Sequence, residues 1–181
     1  MFQLDIPSSE LYDERTNEFV EIKPTTILME HSLISLSKWE SKWCTPFLSR
    51  PGGKERTLDQ TLDYFRCMTI NDKNVDPIIF KTLTVKQVNK IEEYINAPMT
   101  ATTITDRNKG GGSRETLTSE VIYYMMIEQS IPFECEKWHL NRLLMLLRVC
   151  SAKNGPQSKM SKQETAAMYR ELNNQRRSVK R

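Results

Sequence analysis

The chain has 181 residues, enough for one domain or one domain with an extension. Hydrophobic residues make up 38%, a modest core, and 26 basic against 23 acidic residues leave a net charge of +3, too small by itself to imply a nucleic-acid or membrane partner. No apolar run approaches the roughly 20 residues a membrane-spanning helix needs, and Met1-Phe2-Gln3-Leu4-Asp5 lacks the charged start and apolar run of a signal peptide.

The first thirty residues read as strands. Phe2, Leu4 and Ile6 alternate with polar residues until Pro7, and Phe19–Ile22 and Thr25–Met29 are short β-prone runs separated by Pro24. Residues 13–17 read as a hairpin loop between them. No crossover helix fits in so short a stretch, so the expectation is an antiparallel sheet or a pair of hairpins.

From Ser32 the period becomes helical, with Leu33, Leu36, Trp39 or Glu40, and Trp43 on one face, until Pro46 stops it. Residues 50–54 read as a loop, from Pro51-Gly52-Gly53. Thr57 caps a second helix with Leu58, Leu62, Phe65 and Met68 along it. Asp76-Pro77 sets a capping residue before a proline at the first helical position. Thr84-Val85-Lys86-Gln87 is a capping box opening a helix with Val88, Ile91 and Ile95 on one face, ended by Pro98.

Met99–Ile104 and Thr116-Leu117 flank a glycine-rich tip, Gly110-Gly111-Gly112-Ser113, which predicts a mid-chain hairpin. Thr118 or Ser119 caps the next helix, with Val121, Tyr124 and Met125 on its expected apolar face. After Ile131-Pro132 a long, almost wholly apolar helix is predicted over 134–152, carrying Arg142 and Arg148. Gly155-Pro156 stops it. Ser161-Lys162-Gln163-Glu164 is a further capping box, opening a polar helix to about residue 174. The expected fold is therefore α+β: a mainly helical domain over residues 1–156, with an N-terminal antiparallel β element and a mid-chain β-hairpin, followed by a basic C-terminal helical segment over 157–181.

The motifs that hint at chemistry lack their partners. Lys159-Met160-Ser161-Lys162 resembles the phosphate-binding loop of class I aminoacyl-tRNA synthetases, but neither histidine, His31 or His139, sits in the His-x-Gly-His motif that loop works with. The glycine run lacks P-loop spacing, so no lysine is placed for phosphates. Cys135 and His139, four apart, would share a helix face and could begin a zinc site with Cys44, Cys67 or Cys150. Structural zinc sites show two close pairs, however, and buried or free thiols in a reducing cytosol are the simpler reading. No G-x-S-x-G or H-E-x-x-H pattern is present. The residues thus point to a non-enzymatic protein with no cofactor and no metal. Trp39 and Trp43, four apart, read as paired core anchors rather than a binding hot spot.

Charge is unevenly spread. From residue 159 onward seven bases (Lys159, Lys162, Arg170, Arg176, Arg177, Lys180, Arg181) face two acids, a charge of +5 that leaves −2 for the body. These seven are the candidate partner-binding residues. They form no dense run and only Tyr169 could stack on a base, so an acidic protein surface ranks ahead of nucleic acid as their partner.

Leu28–Trp43 with Pro46-Phe47-Leu48, Ile131-Pro132-Phe133-Glu134-Cys135, Trp138-His139-Leu140-Asn141-Arg142-Leu143, and the closing Lys159–Lys162 and Leu172-Asn173 resemble blocks of a group of small tailed-bacteriophage proteins labelled tail assembly chaperones. The resemblance spans roughly residues 25–177. It implies a non-enzymatic chaperone, acting in the host cytoplasm, that binds the long helical tape-measure protein during tail morphogenesis and carries no catalytic residues. Two alternatives stand beside it. One is a virion structural protein of the baseplate, connector or phage tail, bound to neighbouring subunits and located in the virion. The other is a nucleic-acid-binding module using residues 159–181. An oligomer is compatible with either of the first two readings, and no membrane is involved in any.

Overall fold

The computed structural model describes residues 1–13, 17–48, 55–71, 73, 75–103, 116–154 and 169–170. The fold is mixed α+β, mainly helical, with two small antiparallel sheets. The chain divides into two compact units, Met1–Val149 and Cys150–Arg181. In the second, the described residues are 150–154 and Tyr169–Arg170, all helical.

The N-terminal β element is one ribbon in four pieces. Strands β1 (Phe2–Ile6) and β4 (Thr25–Met29) pair antiparallel, as do β2 (Ser9–Asp13) and β3 (Glu18–Ile22). Ile6 faces Thr25 and Ser9 faces Ile22, so the register carries through the break unchanged. The interruption falls where Pro7 and Pro24 remove ladder donors. Leu4, Ile6, Ile22, Ile27 and Met29 point inward and are buried, alternating with exposed or half-exposed neighbours as the pleat requires. The other edge of β4 meets the chain that follows α2. Glu30 N–H donates to Met68 O (2.9 Å), Ile70 N–H to Leu28 O (2.8 Å), and the Asn71 side chain bonds both Leu28 N and Thr26 O.

The helices are α1 (Leu33–Trp43), α2 (Leu58–Met68), α3 (Val85–Asn96), α4 (Ser119–Glu128) and α5 (Leu140–Asn154), with short 3-10 helices at Pro77–Thr82 and Phe133–Lys137. Thr57 with Gln60 and Thr84 with Gln87 form the full capping boxes expected of them, and Asp76 accepts from Ile78 N–H at the first 3-10 turn. Helix α1 lies at the centre and packs against both α2 and α4. Its Leu33, Leu36 and Trp39 are buried together with Tyr64, Phe65 and Met68 of α2, Ile122 and Met126 of α4, and Leu140, Leu143 and Leu147 of α5.

Three expectations are corrected. The helix predicted over 134–152 is two elements, because Trp138 and His139 leave the helical path. His139 pairs as an isolated β-bridge with Ser32, and Leu140 N–H donates to His31 O (2.6 Å). Of the mid-chain hairpin, residues 99–103 and 116–118 form no strand, and Met99 turns left-handed at φ 49° just after Pro98, which ends the extended path there. The rest of that hairpin, with its glycine tip, lies outside the described residues. Helix α4 buries Ser119, Ile122 and Met126 rather than the face of Val121, Tyr124 and Met125. It is apolar nearly all round, so periodicity alone could not choose its inner side. No helix among the described residues is long and apolar enough to cross a membrane.

Candidate functional site

Of the seven candidate partner-binding residues, Arg170 is helical and exposed beside exposed Tyr169. Lys159, Lys162, Arg176, Arg177, Lys180 and Arg181 lie outside the described residues, as do Gly155-Pro156 and the capping box at Ser161.

Both histidines are buried and meet each other, with ring centroids 5.1 Å apart, edge to face. Sequence spacing of 108 residues hides this; the Ser32–His139 bridge creates it. His139 has both ring nitrogens committed. Its Nε2 lies 3.0 Å from Tyr94 O, which can only accept, and its Nδ1 receives Asn141 N–H at 3.3 Å. The ring is therefore the neutral Nε2–H tautomer. Burial lowers its pKa. His31 Nδ1 shares a 2.5 Å hydrogen bond with the buried Tyr64 hydroxyl. Burial, then the neighbouring His139 and Arg56, push the His31 pKa down to about 3, while burial raises that of Tyr64. A histidine so weakly basic and a phenol held protonated give a packed structural hydrogen bond, not a base poised near neutrality.

His31 and Tyr64, but not His139, line a cleft of about 570 Å³. One wall is a stack. The Arg56 guanidinium lies 3.7 Å from the Phe47 ring centre and donates to Phe47 O, and Phe47 lies 3.9 Å from Tyr64. Across from it, Asn141 Nδ2 donates to Ile95 O and Ala97 O, fastening the end of α3 to the start of α5. Cys135 and His139 do not share a helix face, and among the described residues no three His, Cys, Asp or Glu side chains gather as a metal would need.

A buried carboxylate that spacing only half signalled holds the other end of α1. Glu40 accepts Phe47 N–H through Oε1 and Ser119 N–H through Oε2, each at 2.7 Å. Thr118 makes no side-chain cap on α4, so Glu40 supplies the missing acceptor from another helix. The position stood out in sequence as a charge at an apolar register; its two partners are visible only in space.

With α4's inner face fixed, its outer face is one of the exposed apolar patches among the described residues. Tyr124 and Ile127 are more than 60% exposed, and Phe133 of the following 3-10 helix is 53% exposed. Tyr123 stands one helical turn from Ile127 and touches Phe133 at 6.3 Å, joining the exposed residues into one patch. The Tyr123 hydroxyl donates to Glu136 Oε2 at 2.8 Å, which ties the 3-10 helix to α4; burial first, and then this carboxylate, push the tyrosine pKa up to about 12. Residues 119–137, which span α4 and the 3-10 helix, contain four glutamates and one lysine, Lys137, so the segment that carries the patch is net acidic. Trp39 is buried and donates to Gln60 O, as a core anchor should, whereas Trp43 is half-buried and donates to Asp63. Trp138 carries the Arg142 guanidinium over its ring at 4.2 Å. No family model, curated protein or solved structure matches this chain.

Proposed function

We propose that this chain is a non-catalytic assembly factor of a bacteriophage tail, a chaperone that holds the tape-measure protein in the host cytoplasm until tail subunits polymerise around it. The sequence blocks that resemble the tail assembly chaperones supply the biological context. The observation that carries the physical reading is the outer face of α4, where Tyr124, Ile127 and Phe133 stand exposed beside Tyr123. Joined large apolar side chains in water favour covering by a partner. A tape-measure chain is a long amphipathic helix, and such a helix laid on the patch would bury its own apolar stripe there. The glutamates at 120, 128 and 136 favour a stripe flanked by lysine or arginine.

Co-expression with the tape-measure protein tests the reading. The chain keeps the tape-measure protein soluble and co-purifies with it, and Ile127→Asp abolishes both effects without lowering Tm, because Ile127 is exposed. Aggregation of the tape-measure protein with or without the chain would refute the proposal. Recovery of the chain from purified virions at fixed copy number would instead assign it to the virion structure.

A further inference from the structure

A second cleft, of about 510 Å³, opens between α1, α2 and the 3-10 helix Pro77–Thr82. Its floor is apolar, made by Val75, Pro77 and Phe80, and its rim is cationic. Lys38 comes from α1, Arg66 from α2 and Lys73 from the loop after α2, and all three are exposed. The carboxylate that lines the cleft, Asp63, is already engaged by Lys42 and by the Trp43 indole N–H at 2.9 Å. Lys38, Arg66 and Lys73 have no ion pair among the described residues.

Lys38, Lys42, Arg66 and Lys73 all line this one cleft. Burial and the Asp63 charge raise the pKa of the half-buried Cys67 thiol, while Lys42, Lys38 and Arg66 all pull it down, so their fields converge on one sulfur. Like charges collected around a concave surface raise its potential and attract anions. Packing of the fold does not require them, since their side chains lie outside the core.

We propose that this cleft binds a nucleotide, its phosphate held by Lys38, Arg66 and Lys73 and its base laid against the apolar wall at Val75 and Pro77. The guanidinium of Arg66 presents a planar fork suited to two phosphate oxygens, and the lysines add point charge. The volume lies within the range of small-ligand pockets. A free nucleotide and a nucleotide unit within a single strand offer the same chemistry here. The site is separate from the α4 face and stands whether or not the tail-assembly reading does.

Fluorescence anisotropy of a short labelled oligothymidylate on the full chain, with AMP as competitor, tests the site and its source. Both arms use the triple variant Lys38→Ala, Arg66→Ala, Lys73→Ala, whose circular dichroism and Tm should match the unsubstituted chain. Binding that falls about tenfold or more in that variant supports the cleft, a loss equal to one or two charge-assisted contacts. Displacement of the strand by AMP then identifies a free nucleotide as the ligand, and strand binding that AMP does not displace identifies a strand. The proposal is overturned if neither probe binds at millimolar concentration or if the triple variant binds as tightly as the unsubstituted chain. It is equally overturned if Arg176→Ala with Arg177→Ala removes binding that the triple variant keeps.

Discussion

The buried histidine pair should make the protein acid-sensitive, and the expected size follows from the shift. His31 is held down to about 3, chiefly by burial, against an ordinary value of 6.5. Its folded-state pKa is depressed, so the unfolded chain binds the proton more readily than the folded one. Stability from this residue is complete above pH 6.5 and falls as pH drops from there toward 3. At pH 5 the unfolded form is favoured by about 2 kcal/mol relative to pH 7.5, close to one proton per pH unit over 1.5 units. Because pH 5 lies well above the native value, that figure is set by the unfolded-state pKa. A loss of about 2 kcal/mol is a substantial part of the roughly 5–15 kcal/mol that holds a domain folded. His139, also lowered by burial, adds to the loss in the same direction. The variant His31→Asn keeps a polar atom for the Tyr64 hydroxyl and removes the titration. Urea unfolding at pH 7.5 and pH 5 should therefore show a gap between the two pH values that is about 2 kcal/mol smaller in the variant than in the unsubstituted chain. Equal gaps in the two proteins would refute the reasoning and mean that His31 protonates in the folded state near its ordinary pKa.

Two further substitutions test the polar staples by the same unfolding assay. Glu40→Ala leaves Phe47 N–H and Ser119 N–H buried without acceptors and should cost about 3 kcal/mol, whereas Glu40→Gln keeps one acceptor and should cost about half as much. Equal effects of the two variants would contradict the role of the paired oxygens. Asn141→Ala frees Ile95 O and Ala97 O and should cost about 1–2 kcal/mol, with faster hydrogen exchange at the end of α3 as the local readout.

Local chemistry was legible where it was self-contained. The capping boxes at Thr57 and Thr84 and the Asp76-Pro77 start each satisfy orphan helix donors within three residues, so the pattern announces them. Three strands of the N-terminal ribbon were legible from alternation broken by prolines, whereas β2 at Ser9–Asp13, which lacks a strong apolar alternation, was not. What stayed hidden depends on distant partners. Glu40 finds Ser119 across 79 residues, and the interruption at Trp138-His139 exists because Ser32 pairs there. The face of α4 was misassigned because Val121, Tyr124 and Met125 are large apolar or aromatic side chains, as are the buried Ile122 and Met126. The exposed patch and the wrong choice of helix face thus have one cause, a helix with more apolar surface than its own core uses.

That surplus has a structural counterpart in how firmly α4 is held. Its N-terminus is anchored by Glu40 of α1, its Tyr123 bonds Glu136, and the turn after it closes through Ile131 N–H to Met126 O at 2.8 Å. Helix α1 is fixed in turn at its start by the Ser32–His139 bridge and at its end by the Glu40 contacts. A face mounted on such a frame has little conformational freedom left to lose when a partner covers it. Ordering costs commonly consume much of the gain from buried area, so rigid mounting lets a small patch bind usefully. The same frame makes the proposed binding face depend on residues far from it. Glu40→Ala should weaken partner binding as well as stability, while Ile127→Asp should weaken binding alone. If Glu40→Ala lowered stability and left partner affinity unchanged at a temperature where the protein remains folded, the anchoring of α4 would have no part in presenting its outer face.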